Sequence, residues 1–395
     1  EFRRVLFRSL QSENFNLLEF KSQEFESKLT KASLLLSSHA DRYFMNYFGP
    51  KTLDGKAFIF LQHGIIMHDL SNWLNNVTKI NLFCTSTISE YQFIGGLDSP
   101  YKYSHEVKLT GLARHDSLLA KANQHDQTKN ILIMPTWRNN IVGSLKKGSV
   151  EREINPNFHE TQYFKHWYTL LHSKELKDII DKFNFKVTFI PHPNIKDYLP
   201  LFELPDYIAQ PSLKANFSIQ DELAKARVMV TDYSSITFDM AFLNRATFYY
   251  QFDAKEFFLS HTSTQGYFSY ETNGFGPVSF TQNELLAQLF SFLQNDCQIK
   301  EPYKSRLIQT YPKYKTSNCA NIYQEIINMG NEKIYPIDTK ILDNMITLSK
   351  EHHKWKLLEK RCKLMLTLNS QGSPIYIPKK LDVYKNYISM SLFQQ

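Results

Sequence analysis

An α/β fold built on parallel sheets is the architecture this sequence predicts, and three observations predict it. Short apolar runs alternate with longer segments of helical period through most of the 395 residues. Polar and ionisable residues gather at the carboxyl ends of those runs, where open α/β sheets place their ligands. With 42% hydrophobic and 14% aromatic residues, the chain carries enough apolar material for two cores.

The runs at 33–36, 57–61, 80–84 and 107–110 are the strands expected of a first domain. Those at 131–134, 187–190, 228–231 and 247–250 are the strands expected of a second. The polar stretch 120–130 reads as the linker, which divides the chain into domains at 10–122 and 123–330. Beyond about residue 330 the pattern becomes a mostly helical tail, 331–395, in which 351–368 is basic and amphipathic. A helix packed on the body with a solvated basic face accounts for that segment, and so does attachment to a membrane surface. Residues 1–9 contain arginines but no following apolar region, so they are not a secretory signal. They read as an adapter sequence foreign to the fold.

The formal net charge of +7 suits a polyanionic or nucleotide partner, or an anionic membrane surface. Cys84, Cys297, Cys319 and Cys362 lie far apart without a CxxC pair, which suggests neither a zinc site nor a disulfide framework and fits a reducing cytoplasm. No apolar run approaches the ~20 residues needed to span a bilayer. Any membrane contact is therefore expected to be peripheral.

The most informative segment is Arg227-Val228-Met229-Val230-Thr231-Asp232-Tyr233-Ser234-Ser235-Ile236. An apolar strand breaks at Thr231-Asp232, passes two serines, and gives way to apolar residues at helical spacing, Ile236, Met240 and Leu243. N–H groups at a helix start, with small hydroxyl side chains beside them, suit a phosphate. Simple capping by Ser234 or Ser235 explains the same residues.

Other strand ends carry further candidates. His63 precedes Gly64 after the second run, and a histidine at such a turn can remove a proton near neutral pH. A histidine bonded to backbone is the plainer account. His192, between Pro191 and Pro193, is held by rigid backbone and suits phosphate charge, either as His⁺ or as a neutral donor. Arg114 and Arg138 offer forked donors for phosphate or carboxylate, and Asp116 is placed to orient Arg114 or a histidine. Surface ion pairs would use the same residues. Trp137 suits stacking on a base or filling a core. No carboxylate cluster suggests a metal, and no cofactor is implied.

In this order, the motifs resemble those of the CDP-glycerol glycerophosphotransferase family, the teichoic acid primases and polymerases and their capsule-polymer relatives. The resemblance rests on His63-Gly64, on Gly111-Leu112-Ala113-Arg114-His115-Asp116, and on Pro135-Thr136-Trp137-Arg138. It continues through Pro191-His192-Pro193, Thr231-Asp232-Tyr233-Ser234-Ser235 with Phe238-Asp239, Gln265-Gly266-Tyr267-Phe268 and Gly274-Phe275-Gly276-Pro277-Val278. It covers about 57–329.

The resemblance implies a GT-B architecture, two Rossmann-like domains with an interdomain cleft, the acceptor side N-terminal and the CDP-alcohol side C-terminal. It implies attack by an acceptor hydroxyl on the β-phosphorus of CDP-glycerol, expelling CMP. His63 would be the general base, His192 would stabilise the diphosphate, and Asp116 would assist. Arg114, Thr136, Arg138, Thr231, Asp232, Ser234, Ser235 and Asp239 would form the donor site. The implied partners are CDP-glycerol or CDP-ribitol and a polyol-phosphate or glycan acceptor, with lipid linkage in some members. No nucleic acid is expected, and the implied location is the cytoplasmic face of the membrane.

Two departures stand out. The family's Trp-His-Gly-Thr-Pro-Leu-Lys is here Gln62-His63-Gly64-Ile65-Ile66-Met67-His68, which lacks the proline and lysine. Less chain precedes His63 than a complete domain needs, so a truncated acceptor domain is expected. A GT-B glycosyltransferase using a nucleotide sugar, and a non-catalytic CDP-alcohol-binding module, are the competing readings.

Overall fold

The first four strands form one parallel sheet, and their order in space follows their order in the chain: β1 Leu34–Ser37, β2 Ala57–Phe60, β3 Leu82–Thr85 and β4 Val107–Leu109. This is a computed structural model that describes residues 16–41, 44–77, 79–96, 98–124, 128–144, 152–213, 217–260, 264–311 and 317–329, with 335–336 and 376–377. β3 is buried along its whole length and β2 at three of its four positions. They therefore read as continuous apolar runs rather than alternating ones.

The second sheet is also parallel and has six strands in the order β10-β9-β8-β5-β6-β7. These are β5 Asn130–Ile133, β6 Lys186–Phe189, β7 Ile208–Ala209, β8 Val228–Thr231, β9 Ala246–Tyr250 and β10 Val278–Ser279. The chain runs outward from β5 through β6 to β7, then returns to pair β8 on the other side of β5 and runs outward through β9 to β10. That reversal between β5 and β8 is the switch point of a doubly wound sheet, where ligands bind outside the carboxyl ends of the strands. Around this sheet lies an aromatic core in which Trp167, Phe158, Phe189 and Phe202 are fully buried. Phe158 stacks on Tyr198 with centroids 4.1 Å apart. Each such ring contributes roughly 1.5–3 kcal/mol through removal of its apolar surface from water.

The chain divides into two compact units, one of Ser27–Ala113 with Lys315–Gln395, the other of Glu1–Glu26 with Arg114–Tyr314. The polar stretch 120–130, expected as a linker, is in its first part the end of the helix Ala113–Gln124. The helix continues because Leu118 is buried and anchors it, whatever the polarity of its last turn. The helix Asn318–Asn328, expected with the second domain, returns to the first sheet. Its Ile322 and Ile326 pack against Ile59, Leu82 and Cys84. The eight expected strands are all present, shifted by at most two residues. β7 and β10, two residues each, are too short to leave a period in the sequence.

Within the expected helical tail, the structure describes Tyr335–Pro336 and Tyr376–Ile377, paired antiparallel. The amphipathic stretch 351–368, like residues 1–15, lies outside the described residues. Cys84 and Cys297 are free thiols. No described helix is long and apolar enough to cross a membrane.

Candidate active site

β2 ends in the turn that carries His63. The backbone enters the left-handed region at Gln62, φ +60°, rather than at Gly64, a conformation costly for a residue with a Cβ and found where surrounding contacts enforce it. His63 is exposed at this turn. Its Nδ1 lies 3.1 Å from the carbonyl oxygen of Ser38, just past β1, and its ring stacks on His39 at 4.9 Å between centroids. A carbonyl only accepts, so Nδ1 carries the proton and the neutral ring presents its lone pair at Nε2. That is the tautomer a general base requires.

β4 leads through Gly111 into the helix bearing Arg114, His115 and Asp116. Gly111 disfavours replacement on two counts: its φ is +81°, strained for any residue with a Cβ, and an added Cβ would fall 1.8 Å from Oδ1 of Asn318, whose side chain would have to move. On the following helix, Arg114 makes a bidentate pair with Asp239, through Nη1 to Oδ1 and through Nη2 to Oδ2 at 2.8 Å. His115 Nε2 lies 3.5 Å from the same Oδ1, and its ring stacks on Phe242 at 4.3 Å. Burial disfavours the charge on Arg114, but Asp239 outweighs it and holds the guanidinium above its ordinary pKa. Burial would likewise raise Asp239, yet Arg114 and His115 hold it below the usual carboxylate range. Asp239 thus orients Arg114 and lies beside His115, while Asp116 is half-buried in the first turn of the Arg114 helix.

The switch point of the second sheet assembles most of the remaining candidates. The Thr231 hydroxyl donates to the Met134 carbonyl at 2.6 Å, joining the ends of β8 and β5. Asp232 accepts the N–H groups of Thr136 at 2.8 Å and Tyr233 at 2.7 Å, and takes Arg138 Nη2 at 2.9 Å. Arg138 is 3% exposed. Its Nε donates to Asp253 at 2.8 Å and its Nη1 to the Thr136 carbonyl at 2.5 Å. The rings of Tyr163, Tyr233 and Phe257 surround the guanidinium. Burial opposes its charge, and Asp232 and Asp253 more than restore it. Arg138, Thr231, Asp232 and Asp239, expected at the donor site, are all buried: Arg138 is held by Asp232 and Asp253, Thr231 by the Met134 carbonyl, and Asp239 by Arg114 and His115.

The half-buried groups at this switch point are Thr136, Ser234, Ser235 and His192. The Thr136 hydroxyl is buried without a hydrogen-bond partner. Ser234 Oγ is 3.4 Å from the Ile236 N–H, a weak cap. The helix that follows, Thr237–Phe242, is only six residues long. His192 accepts the Asn194 N–H at Nδ1, 3.2 Å away, which puts the neutral ring's proton on Nε2. It stacks on Trp137, and Arg152 lies 4.9 Å over the other aromatic partner of that stack. His63 and His192 thus hold opposite tautomers, one suited to accept a proton and the other to donate a hydrogen bond.

Asp253, Ser38, His39 and Glu90 escaped the sequence reading. Asp253 and the Ser38-His39 pair follow β9 and β1, so the rule that polar residues collect at carboxyl ends reaches them. Nothing in the pattern marks Glu90, which is buried on a helix. No group of three or more His, Cys, Asp or Glu among the described residues could hold a metal ion.

Residues 10–328 match the family described as CDP-Glycerol:Poly(glycerophosphate) glycerophosphotransferase. The chain belongs to this family. Among its relatives is the minor teichoic acid biosynthesis protein GgaB of Bacillus subtilis (strain 168), 32% identical over 327 residues, which make up 80% of this chain and 35% of GgaB. This chain thus spans about a third of that relative. The wall teichoic acid polymerase TagF shares the fold at 15% identity and a TM-score of 0.55, over 80% of this chain and 78% of TagF. A TagF variant soaked with CDPG superposes with a TM-score of 0.56. The expected two-sheet GT-B fold and family assignment are both borne out.

Proposed function

We propose that this glycerophosphotransferase-family chain transfers glycerol phosphate from CDP-glycerol to a hydroxyl of a cell-envelope polymer. The acceptor oxygen attacks the β-phosphorus, its proton passes to Nε2 of His63, and the bridging P–O bond breaks with its electron pair leaving on CMP. The product is a phosphodiester. The observation that carries this reading is the His63 tautomer, fixed by the Ser38 carbonyl at an exposed strand end. Phosphoryl transfer asks mainly for positioning and charge stabilisation. His192 supplies a donor through Nε2–H, and Thr136, Ser234 and Ser235 supply hydroxyls at the switch point of the second sheet.

The family description and the CDPG soak of TagF support CDP-glycerol as the donor. The acceptor is a polyol-phosphate or glycan chain at the cytoplasmic face of the membrane, in keeping with the teichoic acid role in GgaB's name. The decisive experiment supplies CDP-glycerol, CDP-ribitol and a panel of UDP- and CMP-sugars with a synthetic glycerol-phosphate primer and follows nucleotide release. CMP released from CDP-glycerol and lengthening of the primer support the proposal. UDP release would indicate a glycosyltransferase, and donor binding without CMP a non-catalytic module.

A further inference from the structure

One buried carboxylate holds both ends of the turn that carries His63. Glu90 sits on the helix Ile88–Gly95 and is 0% exposed. Its Oε1 accepts the Ile66 N–H at 2.7 Å and the Gln62 side-chain amide at 3.3 Å, and its Oε2 accepts the Ser86 N–H at 2.7 Å. Gln62 immediately precedes His63, and Ile66 follows it by three residues. The same Gln62 amide also donates to the Cys84 carbonyl, which ties the turn to the end of β3.

Capping does not explain this carboxylate. The helix is already capped by Thr87, whose hydroxyl accepts the Glu90 N–H at 3.1 Å. None of the ion pairs among the described residues involves Glu90. A buried carboxylate costs several kcal/mol unless its lone pairs are used, and the groups that use these are the N–H donors of the 62–66 turn and of Ser86. Through its side-chain amide, bonded to Glu90 and the Cys84 carbonyl, Gln62 is tied down at the residue whose backbone is left-handed, next to the exposed His63.

We propose that Glu90 is a positioning residue for His63, setting the height and direction of its ring through Gln62 and Ile66. The inference rests on the reading of His63 as the base. Small displacements of a catalytic group cost heavily in rate, about 100-fold for roughly 1 Å, so a loosened turn lowers turnover without touching the donor. The groups facing the carboxylate are Gln62, Cys84 and Tyr101. Burial keeps both the Cys84 thiol and the Tyr101 phenol above their ordinary pKa and hence neutral.

The test compares wild type, Glu90→Gln, Glu90→Asp, His63→Ala and the double variant Glu90→Gln/His63→Ala. It measures CMP release from CDP-glycerol with the glycerol-phosphate primer and the ring ¹⁵N signals of His63. Glu90→Gln is expected to lower kcat about 10- to 100-fold, to leave KM for CDP-glycerol within about 3-fold, and to shift the His63 ring signals. In the His63→Ala background the same change should cost nothing more, a non-additivity that a purely structural role would not give. Glu90→Asp keeps the charge but withdraws the oxygens, and should behave like Glu90→Gln if that variant fails to fold. Unchanged kcat and unchanged His63 signals in a folded Glu90 variant, with His63→Ala inactive, would overturn the inference and leave the base assignment standing. An active His63→Ala would remove the base assignment and with it this role for Glu90.

Discussion

His63 Nδ1 and the carbonyl oxygen of Ser38 are 3.1 Å apart, and this contact joins the carboxyl ends of β2 and β1. The bond makes the imidazole a directed acceptor. Because the donor hydrogen is committed to the backbone, the remaining nitrogen presents a lone pair in a fixed direction, and stacking on His39 fixes the plane of the ring. No side-chain change at residue 38 would remove the carbonyl, so the tautomer depends on the backbone path of two neighbouring strands.

Replacing His63 with alanine is expected to lower kcat for CMP release by about 100- to 10,000-fold, the usual contribution of a general base. The Kd for CDP-glycerol should stay within a few-fold, because the lost contact acts in the transition state. Steady-state kinetics together with calorimetric donor binding provide the check. Equal turnover in the two proteins would remove His63 from the mechanism.

The Arg114–Asp239 pair predicts a stability effect with a defined asymmetry. Asp239 is fully buried, whereas the Arg114 side chain is 28% exposed. Arg114→Ala leaves a buried carboxylate with only His115 beside it and should cost about 3–5 kcal/mol. Asp239→Asn keeps the shape and one acceptor and should cost less. Urea unfolding midpoints measure the difference; similar midpoints for Arg114→Ala and wild type would show that the pair contributes little.

Much of this fold was legible because β3, β5, β8 and β9 are buried along their whole length and β2 nearly so, and therefore read as apolar runs between polar turns. The strand at 228–231 needed no correction. What escaped was set by contacts between distant segments. The helix Asn318–Asn328 belongs to the first unit because Ile322 and Ile326 meet Ile59 and Leu82, a pairing across more than 200 residues that no local pattern records. Positions of the candidate site residues were legible, but the partners that several of them bind were not. Arg138 follows β5 as expected, yet the carboxylate of Asp253, 115 residues away, turns it inward. A charged residue at a strand end marks a site without saying whether it faces ligand or supports those that do.

That distinction can be tested at Arg138. Its fork bridges two carboxylates, so Arg138→Lys, a point charge with one nitrogen, satisfies only one of them. The expected result is a loss of about 3 kcal/mol of stability, in the range for breaking a buried ion pair, with donor affinity falling only as far as the strand ends loosen. If thermal and urea unfolding are unaffected while donor binding collapses, Arg138 touches the donor directly and the bracing role is wrong.

Thr136 separates the opposite case. Its hydroxyl is buried without a partner while its N–H serves Asp232. Thr136→Val removes the hydroxyl alone, which should leave stability level or slightly higher, since an unsatisfied buried group is lost. If the hydroxyl faces the donor phosphates, CDP-glycerol binding should weaken by about 1–3 kcal/mol, the cost of losing a hydrogen bond to a charged group. Calorimetry decides it, and unchanged affinity would place the hydroxyl outside the donor site.

The last prediction concerns pH. Burial drives the Glu90 carboxyl up from an ordinary 4.5 to about 7, with the N–H groups of Ser86 and Ile66 and the Gln62 amide pulling part of the way back. Between those two values the folded protein holds a proton that the unfolded chain has released, so folding stability falls as pH rises through this window and levels off above about 7. At ~1.4 kcal/mol per pH unit, the span is on the order of 3 kcal/mol. Other carboxylates, Asp239 among them, titrate in the opposite sense at lower pH, so the informative quantity is the difference between wild type and Glu90→Gln, which has no proton to exchange. Measured by urea unfolding from pH 5 to 8, wild type should lose ground steadily against Glu90→Gln up to about pH 7 and run parallel to it thereafter. A constant difference across the whole range would mean that Glu90 titrates at its ordinary value, with the 62–66 turn held by a carboxylate that is ionised throughout.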